Sequence, residues 1–178
     1  MHTLVMNKTG ALGLLLFDAI EEALDGLSPS SAAFLLTALY RPGSTTTQLA
    51  MVAGITQPTG VRLLNGLEKR GWIEPRTRDG KTSPVFLSPA GESRARRLQE
   101  ARLGIMQRLL KPLSASELDA FEHAADKIMA GATRSRAFAR TTCRLCDHPA
   151  CNDPECPIGG RAGEIEADEI RTASKGHA

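Results

Sequence analysis

Four cysteines, Cys143, Cys146, Cys151 and Cys156, stand in one short stretch of a 178-residue chain that has no others. The stretch reads CRLCDHPACNDPEC, spaced C-x2-C-x4-C-x4-C, with Pro157 directly after it. Thiolates this close in sequence can turn toward one centre, the arrangement of a four-sulfur metal or cluster site. Zinc is the first expectation: four thiolates close its tetrahedral shell and leave no open position, so its role is structural. An iron–sulfur cluster is the alternative, because four cysteines in one loop can hold one and a proline closes some cluster-binding runs. A third reading is a thiol switch in which Cys143 and Cys146 form a disulfide on oxidation. His148 lies inside the loop and reads as a loop side chain, not a ligand. Arg134, Arg136, Arg140 and Arg144 lead into the motif, where they would offset the charge of metal-bound thiolates.

A second group of residues could read nucleic acid. Gln57, Thr59, Arg62, Asn65 and Lys69 fall at spacings that suit one exposed face of a helix, with Arg76, Arg78 and Lys81 shortly after. The net charge of +2 argues for no partner by itself, so the local excess of basic residues carries the argument. Chemistry of other kinds finds little support. A metal-dependent hydrolase needs an open coordination position and a general base, and a closed four-thiolate shell supplies neither. The chain has four histidines; His2 and His177 lie near its ends, and His123 sits in an amphipathic stretch. No nucleophile, base and orienting acid group together. The chain is expected not to be an enzyme.

Helices must position these groups. Apolar residues at Leu12, Leu15, Leu16, Ala19, Ile20, Ala23 and Leu24 predict an amphipathic helix over 10–26. Ser28-Pro29 opens a second helix to about Tyr40, and Arg41-Pro42-Gly43-Ser44 breaks it. A short third helix spans 45–52 and stops at Ala53-Gly54. Thr56 is the expected cap of a fourth, 57–70, which Gly71 ends. Trp72–Glu74 and Val85–Leu87 flank an Asp-Gly turn and predict a β-hairpin. Ser88-Pro89 starts a long helix to about Lys111. Ser114 and Glu117 make a capping box for a last helix, 115–139. Residues after Cys156 contain Gly159, Gly160 and Gly163 and no apolar stripe, so this tail is expected to be disordered. No stretch approaches the ~20 apolar residues that span a bilayer, and a cytoplasmic protein without membrane contact is expected.

The segment Thr47–Gly91 resembles the MarR family of regulators. The resemblance rests on Thr47-Gln48-Leu49-Ala50, Gly54-Ile55-Thr56-Gln57-Pro58-Thr59, and Leu63-Leu64-Asn65-Gly66-Leu67-Glu68-Lys69-Arg70-Gly71-Trp72-Ile73. Asp79-Gly80-Lys81 and Leu87-Ser88-Pro89-Ala90-Gly91 complete it. It extends from Gly10 to Ala139 if the first and last helices form the family's dimerisation region. It implies a homodimeric repressor on a pseudo-palindromic operator in double-stranded DNA, and a small-molecule effector between the lobes. Gln57, Thr59, Arg62, Asn65 and Lys69 would then face the major groove. Arg76, Arg78 and Lys81 would sit on a wing against backbone or minor groove. That wing is short, and Lys81 stands where the family has an arginine.

The expected fold is mainly α with a small β-wing, a winged helix-turn-helix with a terminal-helix dimerisation region. Its expected parts are a dimerisation helix at 1–27, the DNA-binding domain at 28–91 and further dimerisation helices at 92–142. The four-cysteine motif at 143–158 and the tail at 159–178 follow.

Overall fold

The computed structural model describes residues 2–75, 83–151 and 156–175. Eight helices occur among them. They are α1 (Thr3–Ala23), α2 (Pro29–Tyr40), α3 (Thr46–Ala53), α4 (Gln57–Lys69), α5 (Pro89–Leu110), α6 (Ala115–Ala132), α7 (Arg136–Thr142) and α8 (Pro157–Lys175).

Side-chain caps set most helix starts, because the first turn has backbone N–H groups with no partner inside the helix. The Ser28 hydroxyl accepts from the Ser31 N–H ahead of Pro29, and Ser88 accepts from the Gly91 N–H ahead of Pro89. Thr45 and Gln48 satisfy each other reciprocally at α3. Thr56 precedes α4 as expected, but its hydroxyl bonds the Thr59 hydroxyl at 3.0 Å and does not cap the helix.

The main core lies where α2, α3, α4 and α5 meet. Phe34, Leu35, Leu36, Leu49, Leu64, Leu98 and Val85 are its fully buried large side chains. Its tightest crossing is at Gly60, where a Cβ would lie 3.0 Å from Ala50 Cβ and 3.3 Å from the Phe34 ring. The absent side chain lets α3 and α4 approach closely. Phe34 and Leu35 belong to this core.

The base of the predicted hairpin is present as an antiparallel bridge between Ile73 and Leu87. Glu74 N–H donates to Phe86 O at 3.0 Å, and Ser88 N–H to Trp72 O at 3.1 Å. A second bridge, Thr45 with Pro84, joins the start of α3 to the hairpin. The Ser88 hydroxyl donates to Gly71 O at 2.5 Å, so one serine caps α5 and anchors the end of α4. Gly91 packs against the same place: a Cβ there would stand 1.9 Å from Trp72 O. The remainder of the wing, with Arg76, Arg78 and Lys81, lies outside the described residues.

Three expectations need correction. The last helix does not run to Ala139. It ends at Ala132, and Thr133 adopts an extended backbone while its hydroxyl donates to Met129 O at 2.8 Å. Ser135 then caps α7 by accepting from the Phe138 N–H. Hydroxyl side chains compete with helix hydrogen bonds, and the run Thr133-Arg134-Ser135 supplies two of them after Gly131. The second correction is the tail, which is helical from Pro157 to Lys175. Pro157 suits the first helical position, Ile158 and Ala162 are buried one turn apart, and Arg161–Glu164 and Arg171–Asp168 pair along its surface. Third, α1 begins well before Gly10, and by length and composition it could cross a membrane, with mean hydropathy 1.3. It also carries Lys8, Asp18, Glu21 and Glu22 and packs along α5. Arg94 of α5 holds its end, pairing with Asp25 at 3.1 Å and donating to Leu24 O and Asp25 O.

Candidate functional site

Two groups of side chains answer the sequence expectations. The first lies on α4. Gly60, Leu64 and Leu67 are buried, so the helix turns the opposite stripe to solvent, and Arg62, Asn65 and Lys69 lie on that exposed side. Gln57 and Thr59 are half-buried at its N-terminal end. A chain of polar contacts runs up the first turns: Thr56 to Thr59, then an Arg62 guanidinium N–H donating to Thr59 Oγ1 at 3.4 Å. Arg62 is thereby aimed along the N-terminal half of the helix. Met51 and Val61 are exposed large apolar groups on the same helix pair.

Glycines shape the turns that end both helices of the pair. Gly54 ends α3 in the left-handed region at φ 67°, a conformation that favours glycine, and Ile55 N–H returns to Ala50 O at 3.0 Å. Beyond α4, Gly71 at φ 71° turns the chain into Trp72. The Trp72 ring lies beneath two guanidinium groups, Arg70 at 5.2 Å and Arg94 at 5.8 Å from its centroid. Such stacking holds cations at a chosen place on the surface.

The second group is the cysteine loop. All four cysteines are free thiols and line one cavity of about 600 Å³, together with Tyr40, Arg41, Arg136, Arg140, His148 and Gly159. Within it the thiols meet as two pairs. Cys143 donates to Cys146, which pushes the Cys143 thiol up and draws Cys146 down to about 7. Burial, then the neighbouring Cys156, raises Cys151 to about 11. Among the described residues, no three His, Cys, Asp or Glu side chains stand in ligating geometry for one metal. The expected convergence of four thiolates on one centre is thus present as two pairs facing a shared cavity.

Each pair is anchored differently. Cys156 precedes α8, and its sulfur accepts the Gly159 N–H at 3.3 Å. Ile158 and Ala162 of α8, Ala139 of α7 and the cysteine side chains of 143 and 156 form a small second core. Arg136 pins α7 to α8 through Glu166 at 2.8 Å, and its hydrogen bond holds the Glu166 carboxyl below the usual range. The Cys143–Cys146 segment instead faces the main core, into which Leu145 packs.

Of the four arginines leading into the motif, Arg136 and Arg140 line the cavity. Arg134 stacks on Phe138 at 5.0 Å, and Arg144 donates to Thr141 O at 2.6 Å. His148 packs edge-on against Tyr40, with ring centroids 5.8 Å apart. Burial and the nearby Arg41 lower its basicity. Sequence reasoning missed Tyr40, Arg41 and Gln99 as neighbours of this loop, since they come from α2, its C-terminus and α5 and only folding brings them near.

The three-helix lobe, the bridged wing base and the long flanking helices define a winged helix-turn-helix protein. More narrowly, that lobe is similar to the MarR family, whose sequence profile matches residues 25–81. A MarR family protein from Bacillus stearothermophilus shares the fold with a TM-score of 0.59 at 21% identity, over 72% of this chain and 95% of that one. A Mycobacterium tuberculosis MarR family protein in complex with DNA gives 0.56 at 22% identity, over 68% of this chain and 94% of that one. The same protein in complex with salicylic acid gives 0.52 at 24% identity, over 67% and 92%. These structures are covered almost entirely, and part of this chain has no counterpart in them. No curated protein matches the chain.

Proposed function

We propose that this protein is a homodimeric repressor that binds double-stranded DNA and carries a four-thiolate metal centre. The observation that carries the DNA reading is α4, a helix with one buried face and an opposite face bearing Arg62, Asn65 and Lys69. A helix of this width enters a major groove, where arginine pairs with guanine and glutamine or asparagine with adenine. Arg62 and Asn65 take those roles, Gln57 and Thr59 meet base edges or phosphates near the helix start, and Lys69 neutralises a phosphate. Arg76, Arg78 and Lys81 supply the wing's contacts to backbone or minor groove. The Mycobacterium relative bound to DNA supports this use of the fold.

Dimerisation follows from faces that one chain leaves uncovered. On α1, Leu4, Val5, Leu14, Leu15 and Phe17 are exposed, and α6 buries none of its residues. A second copy packing on these helices removes that apolar surface from water. Its two-fold axis sets two half-sites about one helical turn apart. A cytoplasmic location accords with this function. The Mycobacterium relative in complex with salicylic acid supports a small-molecule effector as a second signal.

The metal reading rests on four thiols on one cavity, three arginine side chains lining it, and a helix N-terminus at Cys156. All-thiolate donor sets suit zinc or iron–sulfur clusters, and zinc is the reading proposed. Drawing the two thiol pairs together over the cavity completes the shell. Titration of a labelled duplex at rising salt tests the DNA reading: affinity falls steeply as phosphate contacts are screened. Salt-independent or absent binding contradicts it. Metal analysis with a visible spectrum, on protein purified without oxygen, tests the centre. One zinc per chain and no colour is expected; iron with acid-labile sulfide replaces zinc by a cluster, and no metal removes the centre.

A further inference from the structure

The segment that carries Cys143 and Cys146 lies against the DNA-reading lobe, and Cys156 opens the tail helix. α7 packs against α3. Its Thr141 lies so close to the turn between α3 and α4 that a Cβ at Gly54 would stand 3.0 Å from Thr141 Cγ2. Cys143 follows α7 directly, and Leu145 then inserts into the main core. The Gln99 amide, oriented to satisfy both ends, donates to Leu145 O at 3.3 Å and accepts from Asp147 N–H at 3.1 Å. Asp147 hydrogen-bonds the Tyr40 hydroxyl, and His148 packs on the Tyr40 ring. The segment from Thr141 to His148 is therefore a strap across α2, α5 and the helix-turn-helix turn. Cys151 N–H donates to Asp147 O at 2.9 Å, whereas Cys156 opens α8, which contacts only α6 and α7 among the stronger helix pairings.

We propose that the four-cysteine centre is a clamp on the helix-turn-helix. Metal that joins Cys143 and Cys146 to Cys151 and Cys156 ties the strap to α7 and α8 and holds α7 against α3 and the Gly54 turn. Loss of the metal frees the strap, loosens the α3–α4 pair and weakens DNA binding. This inference rests on the metal and DNA readings above. It adds that the centre regulates the reading head, where a simple staple would stabilise the tail alone. The coupling is physical: α3 has only two turns, and its packing depends on neighbours at both ends.

The test uses the full-length reduced protein, loaded with zinc or stripped by a chelator, with zinc content measured in each sample. Amide hydrogen exchange reports the clamp without DNA. Stripping is expected to speed exchange over residues 46–56 and 136–148 roughly tenfold, while α1 and the middle of α5 keep their protection. Affinity for a duplex selected by the zinc-loaded protein is expected to fall by about tenfold, or ~1.4 kcal/mol. Leu145→Ala removes the strap's anchor but no ligand; it is expected to keep its zinc while exchange over 46–56 no longer responds to stripping. Loosening confined to 143–175 overturns the clamp and leaves the metal centre standing. Loosening of 46–56 with unchanged DNA affinity overturns its regulatory part. A chain that binds no zinc overturns the metal reading and this inference with it.

Discussion

At the scale of single residues, chemistry and exposure decide what each group does. Arg62 is an exposed guanidinium on the solvent-facing side of α4, steered by Thr59. Arg62→Ala is expected to weaken operator binding by about 1–3 kcal/mol and to relax base preference at one position. Unchanged affinity in a titration would remove Arg62 from the interface. Cys146 accepts a hydrogen bond from Cys143, which draws its thiol down to about 7. Cys146→Ser is expected to abolish most metal binding by elemental analysis, and full retention contradicts a four-thiolate shell. These residues were legible in the sequence because type and spacing mark them: four cysteines in one loop, polar groups at helical intervals. Their surroundings were not. Tyr40, Gln99 and Thr141 touch the loop or its helix through tertiary packing, and nothing local to any of them signals it. Nor does spacing reveal that the thiols meet two by two.

At the scale of elements, capping chemistry made most boundaries readable. Ser28, Ser88 and Ser114 each stand at the helix start expected of them, while Thr45, placed inside the third helix by the sequence, is its cap. The Glu117 carboxylate accepts from the Ser114 N–H at 2.8 Å and its hydroxyl at 2.7 Å, and the hydroxyl bond lowers its pKa. A depressed carboxyl stabilises the fold above its unfolded pKa and loses that effect as pH falls through its folded pKa. Glu117→Gln is therefore expected to lower the urea midpoint at neutral pH, with the gap to the parent closing below the usual carboxylate range. A gap that persists in acid contradicts the cap. Gly91 gives a stronger effect. Gly91→Ala forces a methyl group into Trp72 O, and overpacking against backbone is expected to cost about 2 kcal/mol or more in denaturant unfolding. The failures also occurred at this scale. Thr133 and Ser135 split α6 from α7 by hydrogen-bonding locally, although the apolar periodicity continues across them. Three glycines obscured α8, whose Ile158 and Ala162 face a core built with Ala139 of α7, Met129 of α6 and two cysteine side chains.

At the scale of the whole molecule, one chain leaves two helices incomplete. α1 and α6 present Leu15, Phe17, Phe121 and Ile128 to solvent, whereas the lobe between them has a closed core. Sedimentation equilibrium is expected to show a dimer, and a charge placed in that surface, Phe17→Glu, is expected to shift it toward monomer and weaken DNA binding in parallel. A monomeric parent chain contradicts the arrangement. The winged-helix class was legible from element order alone: three helices, a hairpin and flanking long helices. The way the tail folds back was not, because it depends on contacts far apart in sequence. In the proposed dimer a two-fold pair of α4 helices reads DNA. Selection of duplexes from a random-sequence pool with the zinc-loaded protein tests this reading. A two-fold symmetric site whose half-sites lie about one helical turn apart is expected to be enriched, with enrichment lost in Arg62→Ala. A pool that stays random, or a site enriched equally by Arg62→Ala, contradicts it.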